Sequence, residues 1–228
     1  MNLLLSCEHG GNQLPPEYAA DLGPLTRDLL DSHRGWDPGA LAVARQLSKA
    51  LKRPLVFSET SRLLVDLNRS LGHRNLFGPE AKLWPQEKRH ALLARYYHPY
   101  RQAFEQRVEE ALAQGPLWHV AVHSFSPIWE GQPRRTQIGL LYDPQRDAEK
   151  ELALSWQRDL QARFPDWSIR RNAPYRGQAD GLTTYLRRRF GPAYRGFELE
   201  LRQDLLALPE DRGRLAERLT ASIRTVLG

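Results

Sequence analysis

Short apolar runs alternate along the chain with stretches in which apolar residues recur at helical spacing. An apolar run of roughly four to eight residues that ends in turn-forming residues predicts a buried strand. Such runs occur at residues 2–7, 54–58, 63–67, 117–123, 137–142, 195–201 and, more weakly, 167–170. Helical spacing extends over residues 38–51, 85–113 with a break near Pro99, 147–163, 181–189 and 210–227. This alternation predicts an α/β fold in which a mostly parallel or mixed central sheet carries helices on both faces.

The length and composition are those of one domain. The chain has 228 residues, of which 41% are hydrophobic, and no repeat or linker divides it, so we expect a single domain over residues 1–228. Cys7 is the only cysteine, which excludes an intrachain disulfide and leaves His, Asp and Glu as the ligands of any metal site. The N-terminus lacks the features of a signal peptide, and no apolar run is long enough to span a membrane. We therefore expect a cytoplasmic protein without a membrane partner.

The formal net charge is +6, from 33 Lys and Arg against 27 Asp and Glu. A basic chain can bind the phosphates of nucleic acid. Here the arginines are scattered, apart from the run Arg187–Arg189. We therefore expect a solvated basic surface, no nucleic-acid partner, and a few arginines that hold a small anionic substrate. The sequence makes no prediction of the oligomeric state.

Polar residues follow the ends of several predicted strands. These are His9, the pair Asn68-Arg69, His123 and Glu200. Ligands of α/β sheets bind beyond the carboxyl ends of the strands, so we expect these residues to converge. His9 suits either a metal ligand or a residue that fixes a tight turn. His123 follows a buried run, where a metal and an acceptor behind the ring would satisfy both of its nitrogens.

The segment at residues 31–40 offers a carboxylate for the same site. Asp37 precedes Pro38, a pattern that predicts a helix N-cap followed by proline in the first turn. A capping carboxylate keeps a second oxygen, so Asp37 can cap the helix and bind a metal. His33 is a rival ligand in the same segment, and Asp31 is a weaker one.

The segment at residues 61–70 carries residues that suit substrate recognition. Asn68 and Arg69, just past a predicted strand, suit a substrate carboxylate because guanidinium binds carboxylate through two parallel hydrogen bonds. Arg62 could polarise a scissile carbonyl and stabilise the charge that develops on its oxygen. The structural alternative is an Arg–Asp network that braces the loop, with Asp66 as the partner of Arg62.

Two carboxylates, Glu198 and Glu200, share one face of the strand predicted at 195–201. Such a pair can perform acid/base catalysis or form a solvent-facing edge. A metal-dependent hydrolase needs a carboxylate that accepts a proton from the attacking water and returns it to the leaving amine. Glu200, deeper in the strand and close to Arg202, is the preferred candidate, and Glu198 is the alternative.

Six segments, taken in this order, resemble the N-formylglutamate amidohydrolase family. They are SCEHGGNQLP from residue 6, DSHRGWDPGA from 31, SRLLVDLNRS from 61, AVHSF from 121, NAPYRG from 172 and FELELRQDL from 197. That family is similar in turn to zinc carboxypeptidases and aspartoacylase, so the resemblance implies their phosphorylase/hydrolase-like α/β fold. It also implies a zinc-dependent amidohydrolase that cleaves a linear amide, either an N-acyl amino acid, N-formyl included, or a related small amide that bears a carboxylate. The alternative is a catalytically inactive domain of the same fold that binds an anionic ligand.

The resemblance also implies roles for individual residues. A Zn²⁺ or another divalent metal would be held by His9, Asp37 and His123. Glu200 would be the general base, with Arg62 beside the scissile carbonyl. The substrate would be bound by Asn68, Arg69, Tyr175, Arg176 and Arg202.

The chain departs from these relatives in two places. Zinc carboxypeptidases take two ligands from a His-x-x-Glu segment, but Asn12 stands three residues after His9. The third ligand must then come from elsewhere, and Asp37 is preferred over Glu8 and His33. Gly10 follows His9 where many formylglutamate enzymes have serine, which indicates a divergent branch.

Overall fold

A computed structural model describes the chain from residue 2 to residue 228, apart from the side chain of Leu25. The strands are β1 (Leu3–Cys7), β2 (Leu55–Phe57), β3 (Leu117–Phe125), β4 (Ile128–Trp129), β5 (Gln132–Pro133), β6 (Ile138–Leu141), β7 (Ile169–Arg171) and β8 (Tyr194–Arg202). The α-helices are α1 (Pro16–Ala19), α2 (Pro24–Leu30), α3 (Ala40–Leu51), α4 (Gln86–Leu92), α5 (His98–Leu112), α6 (Asp147–Arg163), α7 (Leu182–Phe190) and α8 (Pro209–Leu227). The break expected near Pro99 is a π-helical turn, Leu93–Tyr97, between α4 and α5. No helix between residues 2 and 228 has both the length and the apolar character needed to cross a bilayer.

Six of the strands form one sheet in the order β2-β1-β3-β8-β6-β7. Neighbouring strands are parallel except for β6 and β8, which are antiparallel. Strands β4 and β5 form a separate antiparallel hairpin. The prediction of a mixed α/β sheet is confirmed, and β1, β3 and β8 all run in the same direction at its centre.

The side chains of β1 alternate between two cores. Leu3, Leu5 and Cys7 pack in a core that includes α3, α6 and α8. Leu4 packs in another core, with α5 and α7. Because successive side chains of a strand point to opposite faces, the helices cover both faces of the sheet, as expected.

Residues 63–67 were predicted to form a strand, and this prediction is wrong because they form turns. The N–H of Asp66 donates to the carbonyl of Leu76 at 2.8 Å rather than to a sheet neighbour. Leu64, Val65 and Leu67 are nevertheless buried in a further small core. A short buried apolar run has the same composition in a strand and in a buried turn, so its pattern could not separate the two.

The prediction that Asp37 caps a helix is also wrong. Helix α3 begins at Ala40, and its N-cap is Gly39 at a φ of 82°, a backbone conformation that suits glycine. The Asp37 carboxylate accepts a hydrogen bond from His123 instead, and its other oxygen lies near Arg62. Hydrogen bonds between charged groups are stronger than those of an ordinary cap, so remote charged partners determined where Asp37 points.

Candidate active site

The carboxyl ends of three parallel strands meet at one edge of the sheet. Strand β1 leads directly into Glu8 and His9, β3 carries His123 near its end, and β8 carries Glu200. His123 and Glu200 are paired in the register of β3 and β8, so their side chains lie on the same face of the sheet. His9, His123 and Glu200 all line one cavity of about 840 Å³.

His9, Asp37 and His123 form a buried group whose ligand atoms lie within 4.8 Å of one another. Asp37 Oδ2 lies 2.8 Å from His123 Nδ1 and 3.5 Å from His9 Nδ1. The buried Nδ1 of His9 has no hydrogen-bond partner. This nitrogen is therefore free to bind a ligand. Two imidazoles and a carboxylate are ligands that zinc binds in proteins, so the group fits a divalent metal.

The rival ligands lie outside this group of described residues. Glu8 Oε2 lies 3.1 Å from Nε2 of His123, the ring nitrogen that faces away from Asp37. His33 lines the cavity but is not part of the group, and Asp31 is exposed. The geometry therefore favours Asp37 as the third ligand.

The far nitrogen of each histidine meets a carboxylate. His9 Nε2 donates to Asp66 Oδ1 at 2.7 Å, and His123 Nε2 lies beside Glu8. The Tyr100 hydroxyl donates to the other oxygen of Glu8 at 3.2 Å. Carboxylates behind metal-binding histidines fix the tautomer and the direction of the ring. Sequence reasoning missed this role for Glu8 and Asp66, because local spacing does not show which ring an acidic residue will face.

The surrounding charges keep these carboxylates ionised. Burial opposes ionisation of Glu8, but contact with His123 outweighs it and holds the Glu8 pKa at about 2. Burial opposes ionisation of Asp66 too, yet Arg62 and His9 bring its pKa well below the usual value. For His123, burial disfavours the charged ring, but Asp37 and Glu8 raise its pKa well above the ordinary value. The buried carboxylates of Glu8, Asp37 and Asp66 thus favour positive charge on the groups between them.

Glu200 is buried beside the His9–Asp37–His123 group, and its pKa is raised, whereas the pKa values of Glu8 and Asp66 are lowered. Burial raises its pKa to about 8; the nearby charge of His123 opposes this shift, and that of Asp37 adds to it. Its Oε2 has no hydrogen-bond partner. Glu198 also lines the cavity, but its Oε1 accepts a hydrogen bond of 2.6 Å from the Thr183 hydroxyl. Of the two carboxyls, Glu200 is the better placed to exchange a proton.

Arg62 forms the network that was considered as its structural role. Its Nη2 donates to Asp66 Oδ2 at 2.8 Å, and its Nη1 donates to Asp37 Oδ1 at 3.4 Å. The guanidinium thus connects a candidate metal ligand with the carboxylate that holds His9. Arg62 also lines the cavity, and its contact with a scissile carbonyl stays a prediction.

Asn68 and Arg69 lie in the cavity wall next to α7. Asn68 Oδ1 accepts a hydrogen bond of 2.6 Å from the backbone N–H of Leu182, so the start of α7 orients the amide. Arg69 Nη1 donates to the carbonyl of Asp180 at 2.6 Å, and its buried Nε lies 3.8 Å from Asp66 Oδ2. Side chains oriented in this way, with donor capacity left, suit the capture of a carboxylate.

Tyr175 and Arg176 lie on the loop between β7 and α7 and line the same cavity. The Tyr175 hydroxyl accepts a hydrogen bond of 3.0 Å from Arg134 Nη1. The Arg134 guanidinium also lies over the rings of Tyr175, Phe125 and Trp129. Arg134 therefore joins the β4–β5 hairpin to the loop, a role that no sequence motif indicated.

The structure does not bring Arg202 to the cavity, which corrects its expected role in substrate binding. Its Nε and Nη2 donate to the Asp204 carboxylate at 2.7 and 2.9 Å, and its Nη1 donates to the carbonyl of Arg134 at 3.0 Å. An acidic residue two positions further along the chain takes up the guanidinium, so proximity to Glu200 in sequence was misleading.

Gly10 has a packing reason to replace the serine of many relatives. A Cβ at this position would lie 2.8 Å from the carbonyl oxygen of Ser58, closer than real Cβ atoms approach. The N–H of Gly10 donates to that same carbonyl at 2.9 Å. The turn that delivers His9 is therefore held against the segment that follows β2.

The mixed sheet, the His–Asp–His group and Glu200 in one cavity define an α/β protein with a hydrolase-type site. The model of the N-formylglutamate amidohydrolase family matches residues 1–207, and the chain belongs to that family. Family membership supports an amide hydrolase. No match was found among curated proteins.

Solved structures show the same fold. The gene product Atu2144 from Agrobacterium tumefaciens is 30% identical, with a TM-score of 0.85 over 99% of this chain and 90% of that protein. An N-formylglutamate amidohydrolase from Ralstonia eutropha JMP134 is 21% identical, with a TM-score of 0.74 over 99% of this chain and 93% of that protein. The similarity therefore extends over nearly the full length of both proteins.

Proposed function

We propose that this chain is a zinc-dependent amidohydrolase that cleaves the amide bond of a small N-acyl amino acid. The observation that carries the proposal is the buried His9–Asp37–His123 group beside the unpartnered carboxyl of Glu200 in one cavity. The family to which the chain belongs supports the amide as the bond cleaved.

The metal would be held by His9 and His123 through Nδ1 and by Asp37. When bound, it would supply Lewis acidity, which makes water a stronger acid and polarises a carbonyl. Asp66 and Glu8 hold the far sides of the two rings, so the ligands are oriented before any metal arrives. With no thiol in the group, the donor set suits zinc rather than a softer metal.

Glu200 would move the proton. Without a metal, burial raises its pKa to about 8. Beside a bound cation the pKa of the same carboxyl would be lower, because a nearby positive charge favours the ionised form. Glu200 would then accept a proton from the attacking water at neutral pH and return it to the amine as the amide bond breaks.

Asn68 and Arg69 would bind the carboxylate of the substrate, and Tyr175 and Arg176, which line the same cavity, would contact the rest of it. Arg69 is held by the Asp180 carbonyl and Asn68 by the start of α7. Because both side chains are held in place, they would lose little conformational freedom on binding. The substrate would thus be a small anion fixed at one end, with its amide near Glu200.

Metal analysis combined with hydrolysis assays tests the proposal. Purified protein should bind one zinc per chain and hydrolyse at least one member of a panel of N-formyl and N-acyl amino acids. His9→Ala, Asp37→Ala and His123→Ala should each lose both metal and activity. His33→Ala is the matched control, since His33 lines the cavity outside the ligand group, and it should keep its metal. Stoichiometric metal together with full activity in His123→Ala would refute the proposal.

A further inference from the structure

The cavity has an apolar wall that a formyl group could not cover. Ile128 and Trp129, on the β4–β5 hairpin, both line the cavity, yet they are 57% and 47% exposed. A cavity of about 840 Å³ lies in the range that encloses drug-sized ligands, whereas an N-formyl amino acid has only about a dozen non-hydrogen atoms. The site therefore has room, and uncovered apolar surface, for a larger molecule.

The Trp129 ring is held in place rather than loose on the surface. The Arg134 guanidinium lies 4.9 Å from its ring centroid, and the His33 ring meets it edge-on at 6.2 Å. The same guanidinium donates to the hydroxyl of Tyr175, which links the hairpin to the loop between β7 and α7. An aromatic ring that is already fixed loses little freedom when a ligand packs on it, and it can select among ligands.

The hairpin and the Asn68–Arg69 wall are held by different residues. Arg69 and Asn68 contact Asp180 and Leu182, at the approach to α7. The hairpin contacts Arg134 and His33 instead. Asn68 and Arg69 adjoin Asp66, which contacts His9, whereas the hairpin follows the end of β3, which carries His123. With its carboxylate at Asn68–Arg69 and its amide at the His9–Asp37–His123 group, a substrate would present its acyl end to the hairpin.

We propose that the β4–β5 hairpin is the acyl-binding wall of the site, and that it selects amides whose acyl group is aromatic or branched aliphatic over formyl amides. This proposal rests on the proposed function, because it takes the carboxylate of an N-acyl amino acid to be bound at Asn68 and Arg69. Trp129 is the residue that determines specificity, since its exposed face meets the acyl group. Filling or emptying an apolar subsite changes the preference for one substrate over another, as the ratio of their kcat/KM values, by roughly 10-fold or more.

The test compares N-benzoyl-L-glutamate with N-formyl-L-glutamate, which differ only in the acyl group. Affinity for both is measured by calorimetry in the zinc-loaded Glu200→Gln variant, which prevents turnover, and kcat/KM is measured in the active enzyme. The benzoyl compound should be preferred at least about 10-fold in both measurements. Trp129→Ala should reduce this ratio to about 1–2, and Trp129→Phe should keep most of it, which separates loss of the ring from collapse of the hairpin.

Leu154→Ala is the matched control, because Leu154 is an exposed apolar residue of α6 outside the cavity, and it should keep the wild-type ratio. Equal affinity for the two compounds, or an equal loss for both in Trp129→Ala, would overturn the proposal. If neither compound is hydrolysed but the benzoyl compound still binds more tightly, and Trp129→Ala removes that difference, the proposed function is refuted while the role of the hairpin in binding the acyl group is supported.

Discussion

Asp66 is the residue whose replacement tests the metal site most sharply. Its Oδ1 accepts hydrogen bonds from His9 Nε2 at 2.7 Å and from the Asn68 N–H at 3.0 Å, and its Oδ2 accepts one from Arg62 at 2.8 Å. In Asp66→Asn the amide has one oxygen and one NH₂ group. If the oxygen faces His9, the NH₂ group faces the Arg62 donors, so one of the two contacts must be lost.

The expected loss is one of metal affinity rather than of folding. Removing the carboxylate behind a metal-binding histidine typically lowers the affinity for the metal by about 10–100-fold, which corresponds to about 1.4–2.8 kcal/mol of binding free energy. The Kd for zinc in Asp66→Asn should rise by that factor, as measured by competition with a chelating indicator. Arg62 keeps Asp37 as a partner at 3.4 Å, so the thermal unfolding midpoint of the metal-free protein should change much less than that of the zinc-loaded protein.

Asp31→Asn is the matched control, because Asp31 is an exposed carboxylate that hydrogen-bonds Asn12 and lies outside the ligand group. It should keep the wild-type zinc affinity. A Kd for Asp66→Asn within threefold of the wild-type value would refute the role of Asp66 in orienting His9. Equal losses in Asp66→Asn and Asp31→Asn would show a general effect of charge instead.

Three further predictions concern catalysis and stability. Glu200→Gln should lower kcat by about 10²–10⁴-fold while the zinc content stays at the wild-type level. Glu198→Gln should lower kcat far less. A larger loss of kcat in Glu198→Gln than in Glu200→Gln would make Glu198 the general base instead. The Nε–H of the buried Arg187 is shared between both carboxylate oxygens of Glu149, at 3.0 and 3.1 Å, so Glu149→Ala should lower the free energy of unfolding in urea by about 3–5 kcal/mol. A loss below about 1 kcal/mol would contradict this prediction. Burial lowers the pKa of His119 from 6.5 to about 4, so the unfolded chain binds more protons than the folded chain between these pH values. The free energy of unfolding should therefore fall by up to about 3 kcal/mol as the pH drops through that window. His119→Gln should flatten this pH dependence, and an unchanged slope would show that other groups cause it.

The strands at the centre of the sheet were predictable because their pattern is local. The apolar runs before His9 and around His123 are bounded by turn-forming residues, and the structure has β1 and β3 there. The run at 63–67 failed because a buried turn and a buried strand require the same side chains. The sequence still placed Asn68 and Arg69 in the cavity wall, although for the wrong structural reason.

The sequence by itself determined which residues can perform the chemistry and brought His9, His123 and Glu200 to the ends of buried strands. That information is local, because strand alternation and burial depend on neighbours in the chain. The tertiary structure alone brought Asp37 beside both histidines and placed a carboxylate on the far side of each ring. Asp37 is 86 residues from His123, and Asp66 is 57 residues from His9. It also determined the raised pKa of Glu200 and the pairing of the Arg202 guanidinium with Asp204. The physical reason is that hydrogen bonds and desolvation act over a few ångströms of space, and sequence spacing does not report which distant segments the fold brings that close.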